Sequence, residues 1–499
     1  MKKTLAIMLA LIMVLAMVPA LADGVVARIG TDEYATLDEA IEKAADGATI
    51  KLLKSDALTF EKIGNKSLTF TGTGTITVEK QTKNGYKGDL KFDGKDLVFK
   101  WIGSDGSWLQ LAMSGSLTFS NGAEGIFSFD STEGTNCAIY SGDNNSMQLN
   151  VENGSSFKIY GKNTNGVLGQ GIQVGDRSNL NIRVMDNSTF LIDGTNRGYV
   201  NSPKVHVEKS TFTIQNCTSN ASNGGAFTAV GSKINFLNNR GHGLSATTLE
   251  IKDNTEVICN NNAFYGVTVG AKMTMDGTSK LTANENGNGS TGGGLRLTKK
   301  AMGTIASSAV VTTNNNYRNG IENYGILTFD EGVKLTVMKN SEPNNGGGVY
   351  NTGTLTLPSD AIIYNNHAVK AGDDIYSEGK ITFGGVGSDW WLDGAPDCDG
   401  KIHKIDGWYD DAEENRWQAH KEKPEDNHID LVNPNMLPDK VAVKAAHGAN
   451  AVEPTPVPTP GGGHSHYHPT TTPVPVIVIP PKTGDMTIWQ SILHFLGIK

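Results

Sequence analysis

Gly348-Val349-Tyr350-Asn351-Thr352-Gly353-Thr354-Leu355-Thr356-Leu357 reads as a short strand, a glycine turn and a second strand in which apolar residues flank a threonine. Two further segments superimpose on it. Gly320-Ile321 leads to Gly325-Ile326-Leu327-Thr328-Phe329, and Asp374-Ile375-Tyr376 leads to Gly379-Lys380-Ile381-Thr382-Phe383. Towards the N-terminus the same anchor recurs as Gly294-Leu295, Gly266-Val267, Gly243-Leu244 and Gly225-Ala226, in steps of 18 to 28 residues. A drifting period of this size describes stacked coils whose loops vary in length.

The strands identify the kind of solenoid. Leu58-Thr59-Phe60, Leu68-Thr69-Phe70, Leu117-Thr118-Phe119 and Leu327-Thr328-Phe329 each place two apolar side chains around one threonine. A period of two turns the apolar pair inward and the threonine outward. A leucine-rich repeat would need a fixed Leu and Asn pattern, and helical repeats a 3.6-residue period; residues 56–385 have neither. Short parallel strands with Gly and Asn corners remain.

Asparagine clusters follow many of the strands, as in Asn238-Asn239, Asn260-Asn261-Asn262, Asn314-Asn315-Asn316 and Asn365-Asn366. Asn tolerates the left-handed conformation of a tight corner. Stacked at one corner of successive coils, its amides can also bond along the axis. A polar ligand groove is the functional alternative.

A solenoid has to protect its ends. Thr36 and Glu39 have capping-box spacing, and Leu37, Ala40, Ile41 and Ala44 form a helical apolar stripe before Asp46-Gly47. A short amphipathic helix there would cover the first coil. At the other end Trp390, Trp391, Trp408 and Trp417 crowd into a segment after the last coil. They suit an irregular cap, with carbohydrate binding as the sharper alternative.

Lys2 and Lys3, the apolar run Leu5 to Val18, and Ala20-Leu21-Ala22 before Asp23 have the layout of a secretory signal cleaved between Ala22 and Asp23. The net charge of -9 argues against nucleic acid as a partner. Cys137, Cys217, Cys259 and Cys398 are too few and scattered for a disulfide scaffold, and Cys259 reads as a small core residue.

Tyr34-Ala35-Thr36-Leu37-Asp38-Glu39-Ala40-Ile41, followed by Asp46-Gly47-Ala48-Thr49-Ile50, resembles the leader of right-handed β-helix surface proteins of Gram-positive gut bacteria. Gly372-Asp373-Asp374-Ile375-Tyr376 is similar to their final coil. Gly407-Trp408-Tyr409-Asp410-Asp411, Asn415-Arg416-Trp417 and Lys444-Ala445-Ala446-His447-Gly448 are similar to their closing module. The resemblance covers most of the chain and implies the fold, of pectate-lyase-like type, and a surface location. It implies no ligand or reaction. The expected fold is therefore all-β: a right-handed parallel β-helix solenoid with an N-terminal capping helix and a small C-terminal cap module.

The expected organisation is a signal peptide at 1–22, an N-terminal cap at 23–55, the β-helix at 56–385 and a cap module at 386–448. A Pro/Gly/Thr-rich linker at 449–480 and a sorting signal with its tail at 481–499 follow. The linker's upper reach is on the order of 100 Å if its proline runs are extended. Pro481, Lys482, Thr483 and Gly484 resemble a sortase signal, in which cleavage between Thr and Gly joins the chain to peptidoglycan. Pro480 stands where that signal usually has Leu, and the tail from Met486 to Lys499 is interrupted by Gln490 and His494. His464, His466 and His468 alternate in the linker without a rigid frame, so they read as an adventitious metal binder, and no cofactor or specific metal is expected.

Many β-helices cleave polysaccharides. Arg240-Gly241-His242-Gly243 resembles an element of polygalacturonases, yet Gly225 to Asn239 contains no Asp or Glu to supply the paired carboxylates of inverting hydrolysis. His242 therefore reads as a turn residue. A lyase would need clustered carboxylates for calcium with Arg or Lys beside them, and Asp186, Asp193, Asp253, Glu256 and Asp276 are scattered. The preferred function is a monomeric, non-catalytic adhesin or display module on the cell wall or surface. Its partners would be a glycan or a host or bacterial surface ligand, with sortase and peptidoglycan for attachment. A secreted polysaccharide lyase or glycoside hydrolase is the alternative.

Overall fold

The computed structural model describes residues 24–78, 85–102, 111–129, 137–142, 144–161, 169–288, 291–392, 403–416, 428–429 and 439–447. Ala22, Asp23, Pro481, Lys482, Thr483 and Gly484, along with Cys398, Trp417 and the linker histidines, lie outside the described residues.

The alternation read from the strands produces an all-β parallel β-helix of the expected right-handed type. Each late coil runs through three short strands, as in Ile321–Asn323, Ile326–Phe329 and Lys334–Met338. Each strand pairs in parallel with its equivalent one coil later: Ile321 with Val349, Ile326 with Thr354, Thr336 with Ile362. One of the three ladders stacks 13 parallel strands, from Asp56–Ala57 to Ile362–Tyr364. Leu68, Leu90, Leu117, Leu149, Ile182 and Val205 occupy one inward register file, and Leu327, Leu355 and Ile381 share another stretch of it. Beside it the rings of Phe70, Phe92 and Phe119 stack at 5.2 Å, close to the strand spacing of about 4.8 Å. Outward, Thr274, Thr304, Thr328, Thr356 and Thr382 stand in register.

Two expectations from the strand pattern fail in detail. Leu58-Thr59-Phe60 is not a strand: Asp56–Ala57 ends before it and Phe60–Ile63 turns into a 3-10 helix, which still buries Leu58 and Phe60. The anchor at Gly225 belongs to a different corner from Gly243. Ala226 pairs with Thr248, whereas Leu244 pairs with Val267, because Leu244–Lys252 runs through two faces as one long strand. The short first step of the repeat is therefore not one coil.

Glycine is required at the corner of Gly353 because the coils approach there backbone to backbone. A Cβ on Gly353 would come within 2.0 Å of the Gly325 carbonyl oxygen. At the opposite corner two adjacent residues divide the work. Asn238, Asn261, Glu285, Asn315, Lys339 and Asn365 take positive φ between 55° and 58° and turn the chain. The next residue in each case, Asn239, Asn262, Asn286, Asn316, Asn340 or Asn366, buries its side chain. Each of those amides donates through Nδ2 to the Oδ1 of the next, at 2.8 to 3.1 Å, from Asn239 through to Asn366. The same Oδ1 also accepts the backbone N–H of the preceding ladder residue, as Asn316 does from Asn286 at 2.9 Å. The asparagines thus form a continuous internal ladder.

Both ends of the solenoid carry antiparallel strands. Ala27–Ile29 pairs antiparallel with Asp32–Tyr34 and with Thr49–Leu52. The helix Leu37–Lys43 begins at Thr36, whose Oγ1 accepts from the Glu39 amide, and buries Leu37, Ala40 and Ile41 against these first strands. At the far end Val441–Ala446 pairs antiparallel with Ile375–Ser377 of the last coil and with Gly407–Asp410. Trp390 and Trp408 are buried there, while Trp391 is 48% exposed. Cys137, Cys217 and Cys259 are free and buried, and burial pushes the thiols of Cys137 and Cys217 up to about 12, so they are core residues without nucleophilic character at neutral pH.

Candidate binding face

In the strands that follow the anchors from Gly243 onward, alternation turns the middle side chain away from the inward file; of these Arg296 and Tyr350 are part-exposed, while Glu322 and Tyr376 are covered by their neighbours. Leu295 and Leu297 are buried and Arg296 points out between them; Ile321 and Asn323 flank Glu322, and Val349 and Asn351 flank Tyr350. Parallel register lines these residues up as Ser245, Thr268, Arg296, Glu322, Tyr350 and Tyr376 on successive coils. Residues far apart in sequence thereby share one face.

The Arg296 guanidinium lies 4.9 Å from the Tyr265 ring centre and 5.4 Å from that of Tyr324, within cation–π range of both. Its Nε sits 3.2 Å from Glu322 Oε2 as an ion pair, without the alignment of a hydrogen bond. Tyr324 donates its hydroxyl to Glu322 Oε1 at 2.6 Å. Burial and then the Glu322 carboxylate push the phenol of Tyr324 above its ordinary range, and the same two causes act on Tyr265. Tyr350 stacks face to face on Tyr376 at 5.7 Å and meets Tyr324 edge-on at 6.0 Å. Arg318 makes a bidentate pair with Glu342 at 3.1 and 2.9 Å, and Asn344 donates its amide to the same carboxylate.

His242, read as a turn residue, precedes the strand Leu244–Lys252 and stacks on Tyr265 at 5.8 Å. Burial, and then the charge of Arg296, lower its pKa and keep the imidazole neutral. His242 Nδ1, Thr268 Oγ1, Arg296 Nε and Glu322 Oε2 are all buried without a hydrogen-bond partner. Among the described residues ten such side-chain atoms occur, so four at one place mark it out.

The acidic residues weighed for catalysis go elsewhere. Asp186 and Asp253 take positive φ in turns, and Asp193 accepts from Gln215 and Asn216. Asp276 accepts from the Asp253 amide and from Thr278 and Ser279, while Glu256 stands in register between Lys233 and Lys280. Asp374 terminates the asparagine ladder. Its Oδ1 accepts from the amide and side chain of Asn366, and its Oδ2 accepts from the Ala445 amide at 2.8 Å. Burial pushes its carboxyl up to about 7 against those three donors. Asp411 is pushed up to about 6 by burial and by Asp373. Burial also opposes ionisation of Asp373, but His367, Arg416 and Lys444 outweigh it and hold that carboxyl below the usual range.

Among the described residues no three or more His, Cys, Asp or Glu side chains are placed to hold a metal ion. No helix among them is long and apolar enough to cross a membrane. Comparison of the chain with protein-family models, curated proteins and solved structures gives no match.

None of Arg296, Glu322, Arg318, Glu342 or the four tyrosines stood out in the sequence reading. The available signal was position: Arg296, Glu322, Tyr350 and Tyr376 each fall two residues after an anchor, at Gly294, Gly320, Gly348 and Asp374.

Proposed function

We propose that this chain is an exported surface β-helix, held near its C-terminus, whose Arg296–Glu322–tyrosine face binds glycan without cleaving it. Export and attachment rest on the sequence: the cleavage layout at Ala22 and Asp23, the extended linker, and Pro481, Lys482, Thr483 and Gly484. The domain boundaries are those set out above. The observation that carries the binding role is a part-exposed guanidinium set between two tyrosine rings and paired with a carboxylate, in register with a file of aromatic residues. Aromatic rings offer flat apolar area at low entropic cost, and the polar pair supplies direction. The exposed Trp391 lies among the closing elements and belongs to no such group.

A polysaccharide lyase or hydrolase is the second reading, favoured by the gathering of two arginines and two glutamates on one face. Against it, Glu342 is saturated by Arg318 and Asn344. A glycan array probed with the full chain, with product analysis on every polysaccharide bound, tests both. Binding with no new ends supports the adhesin; unsaturated or reducing ends would replace it with the enzyme.

A further inference from the structure

We infer that the C-terminal cap is a latch: rising pH charges a buried carboxylate cluster at its junction with the last coil and releases the closing strand Val441–Ala446. The observation behind it is a charge count. Asp373 and Asp374 of the last coil meet Asp411 of the cap, and Asp374 and Asp411 are buried. Asp411 Oδ2 accepts the Asp373 amide at 2.7 Å, so two of the carboxylates face each other across the junction. Among the described residues, Arg416 and Lys444 from the cap and His367 from the last coil are set against them. Arg416 donates to Asp373 Oδ1 at 2.6 Å, and His367 Nδ1 lies 3.5 Å from the same oxygen. Asp411 Oδ1 carries no hydrogen bond and lies 3.4 Å from Arg416 Nε and 3.5 Å from Lys444 Nζ. Asp374 accepts from amides, those of Asn366 and Ala445. The other charges nearby have partners of their own: Asp410 accepts from Ala412 and Asn415, and Glu378 pairs with Lys440 beside Tyr376.

Fully ionised, the cluster sets three carboxylates against two cations and an imidazole. With the imidazole neutral, one negative charge is left unmatched in a buried site, where such a charge is costly. A proton on Asp374 or Asp411 removes the excess, and burial raises both carboxyls in that sense. Once pH takes the proton away, undocking the cap returns the charge to water. The join that resists this is short. The closing strand meets the last coil through three residue pairs, Ile375 with Val443, Tyr376 with Ala442 and Ser377 with Val441, and three of its six residues are alanines with little apolar area. Its bonds run through the cluster itself: the Gly372 amide donates to the Asp411 carbonyl at 3.0 Å and the Asp374 amide to that of Val443 at 3.2 Å. Release leaves Ile375–Ser377 as an unpaired strand edge, open to pairing with another strand.

The test is hydrogen exchange on the full chain at pH values from about 5 to about 8, corrected for intrinsic rates. The Gly372 and Asp374 amides read the junction, and the Ile321 amide, which donates to the Gly348 carbonyl at 2.9 Å, reads the solenoid away from it. Protection of both junction amides should fall together by about tenfold or more over that range, while Ile321 keeps its own. Asp411→Asn leaves two carboxylates against two cations and should keep both amides protected at the upper pH. Lys444→Met leaves three against one and should move the fall to lower pH. The opposite signs separate the latch from a general loss of stability, which would lower Ile321 as well. If Lys444→Met loosens the whole fold, Asp411→Asn decides. A flat wild-type profile, a fall shared by Ile321, or a fall in Asp411→Asn equal to that of the wild type overturns the inference.

Discussion

Replacing Asn316 by alanine tests whether the internal ladder holds the coils together. Asn316 Oδ1 accepts from the Asn286 backbone amide at 2.9 Å and from Asn286 Nδ2 at 3.1 Å, and its Nδ2 donates to Asn340 Oδ1 at 2.9 Å. Alanine removes all three bonds. Asn286 Nδ2 keeps the Cys259 carbonyl at 2.9 Å and Asn340 Oδ1 keeps the Asn316 amide, so these two losses cost about 1 kcal/mol each. The Asn286 amide has no second acceptor and is buried, which adds roughly 1–3 kcal/mol of desolvation. The total is about 3–5 kcal/mol. Thr312→Ala, an outward change in the preceding strand, should stay within about 0.5 kcal/mol. Denaturant unfolding gives the two losses, and hydrogen exchange at the Asn286 amide locates the first, since a solenoid opens by segments. A loss below about 1 kcal/mol for Asn316→Ala, or equal losses for the two variants, would mean that the ladder is ornament on a fold held by its apolar stack.

Strand facing makes a second prediction. Leu355→Asp buries a charge in the inward file and should cost several kcal/mol, whereas Thr356→Asp, one residue on and half-exposed, should cost under about 1 kcal/mol. Matching melting temperatures for the two would contradict the assigned register. A third concerns pH. Because Asp374 is raised to about 7, its contribution is complete below the ordinary carboxyl value of about 3.9 and is lost as pH rises through about 7. Asp411, raised to about 6, acts in the same sense; Asp373, held low, keeps its contribution until strongly acid pH. Protection of the Ala445 amide, corrected for intrinsic exchange, should therefore fall between pH 5 and pH 8 at about the Asp374 value. Asp374→Asn should flatten that fall, since a carboxamide does not ionise in this range; a wild-type profile with no fall refutes the assignment.

The ladder also explains why it ends on aspartate. Within the series each amide accepts from one neighbour and donates to the next, which a carboxamide does with one short side chain. At Asp374 both neighbours donate, Asn366 on one side and Ala445 on the other, so both positions have to be acceptors.

Much of this was legible in the linear chain. Apolar-Thr-apolar triplets gave the strand facing, because alternation depends only on local backbone geometry. Thr36 and Glu39 marked the helix start, and the Asn runs marked the corners, since these too are decided within a few residues. Which asparagine of a run turns the chain and which enters the core was not legible, because that depends on stacking against the coil above. Nor was the corner to which Gly225 belongs, where a long strand carries the chain through two faces without a break. The candidate site was hidden for the same reason. Arg296, Glu322 and Tyr350 lie 26 and 28 residues apart, and only the register of parallel pairing brings them to adjacent rungs. Composition and period determined that coils would stack; the loop lengths between them, summed through the tertiary structure, decided which side chains meet.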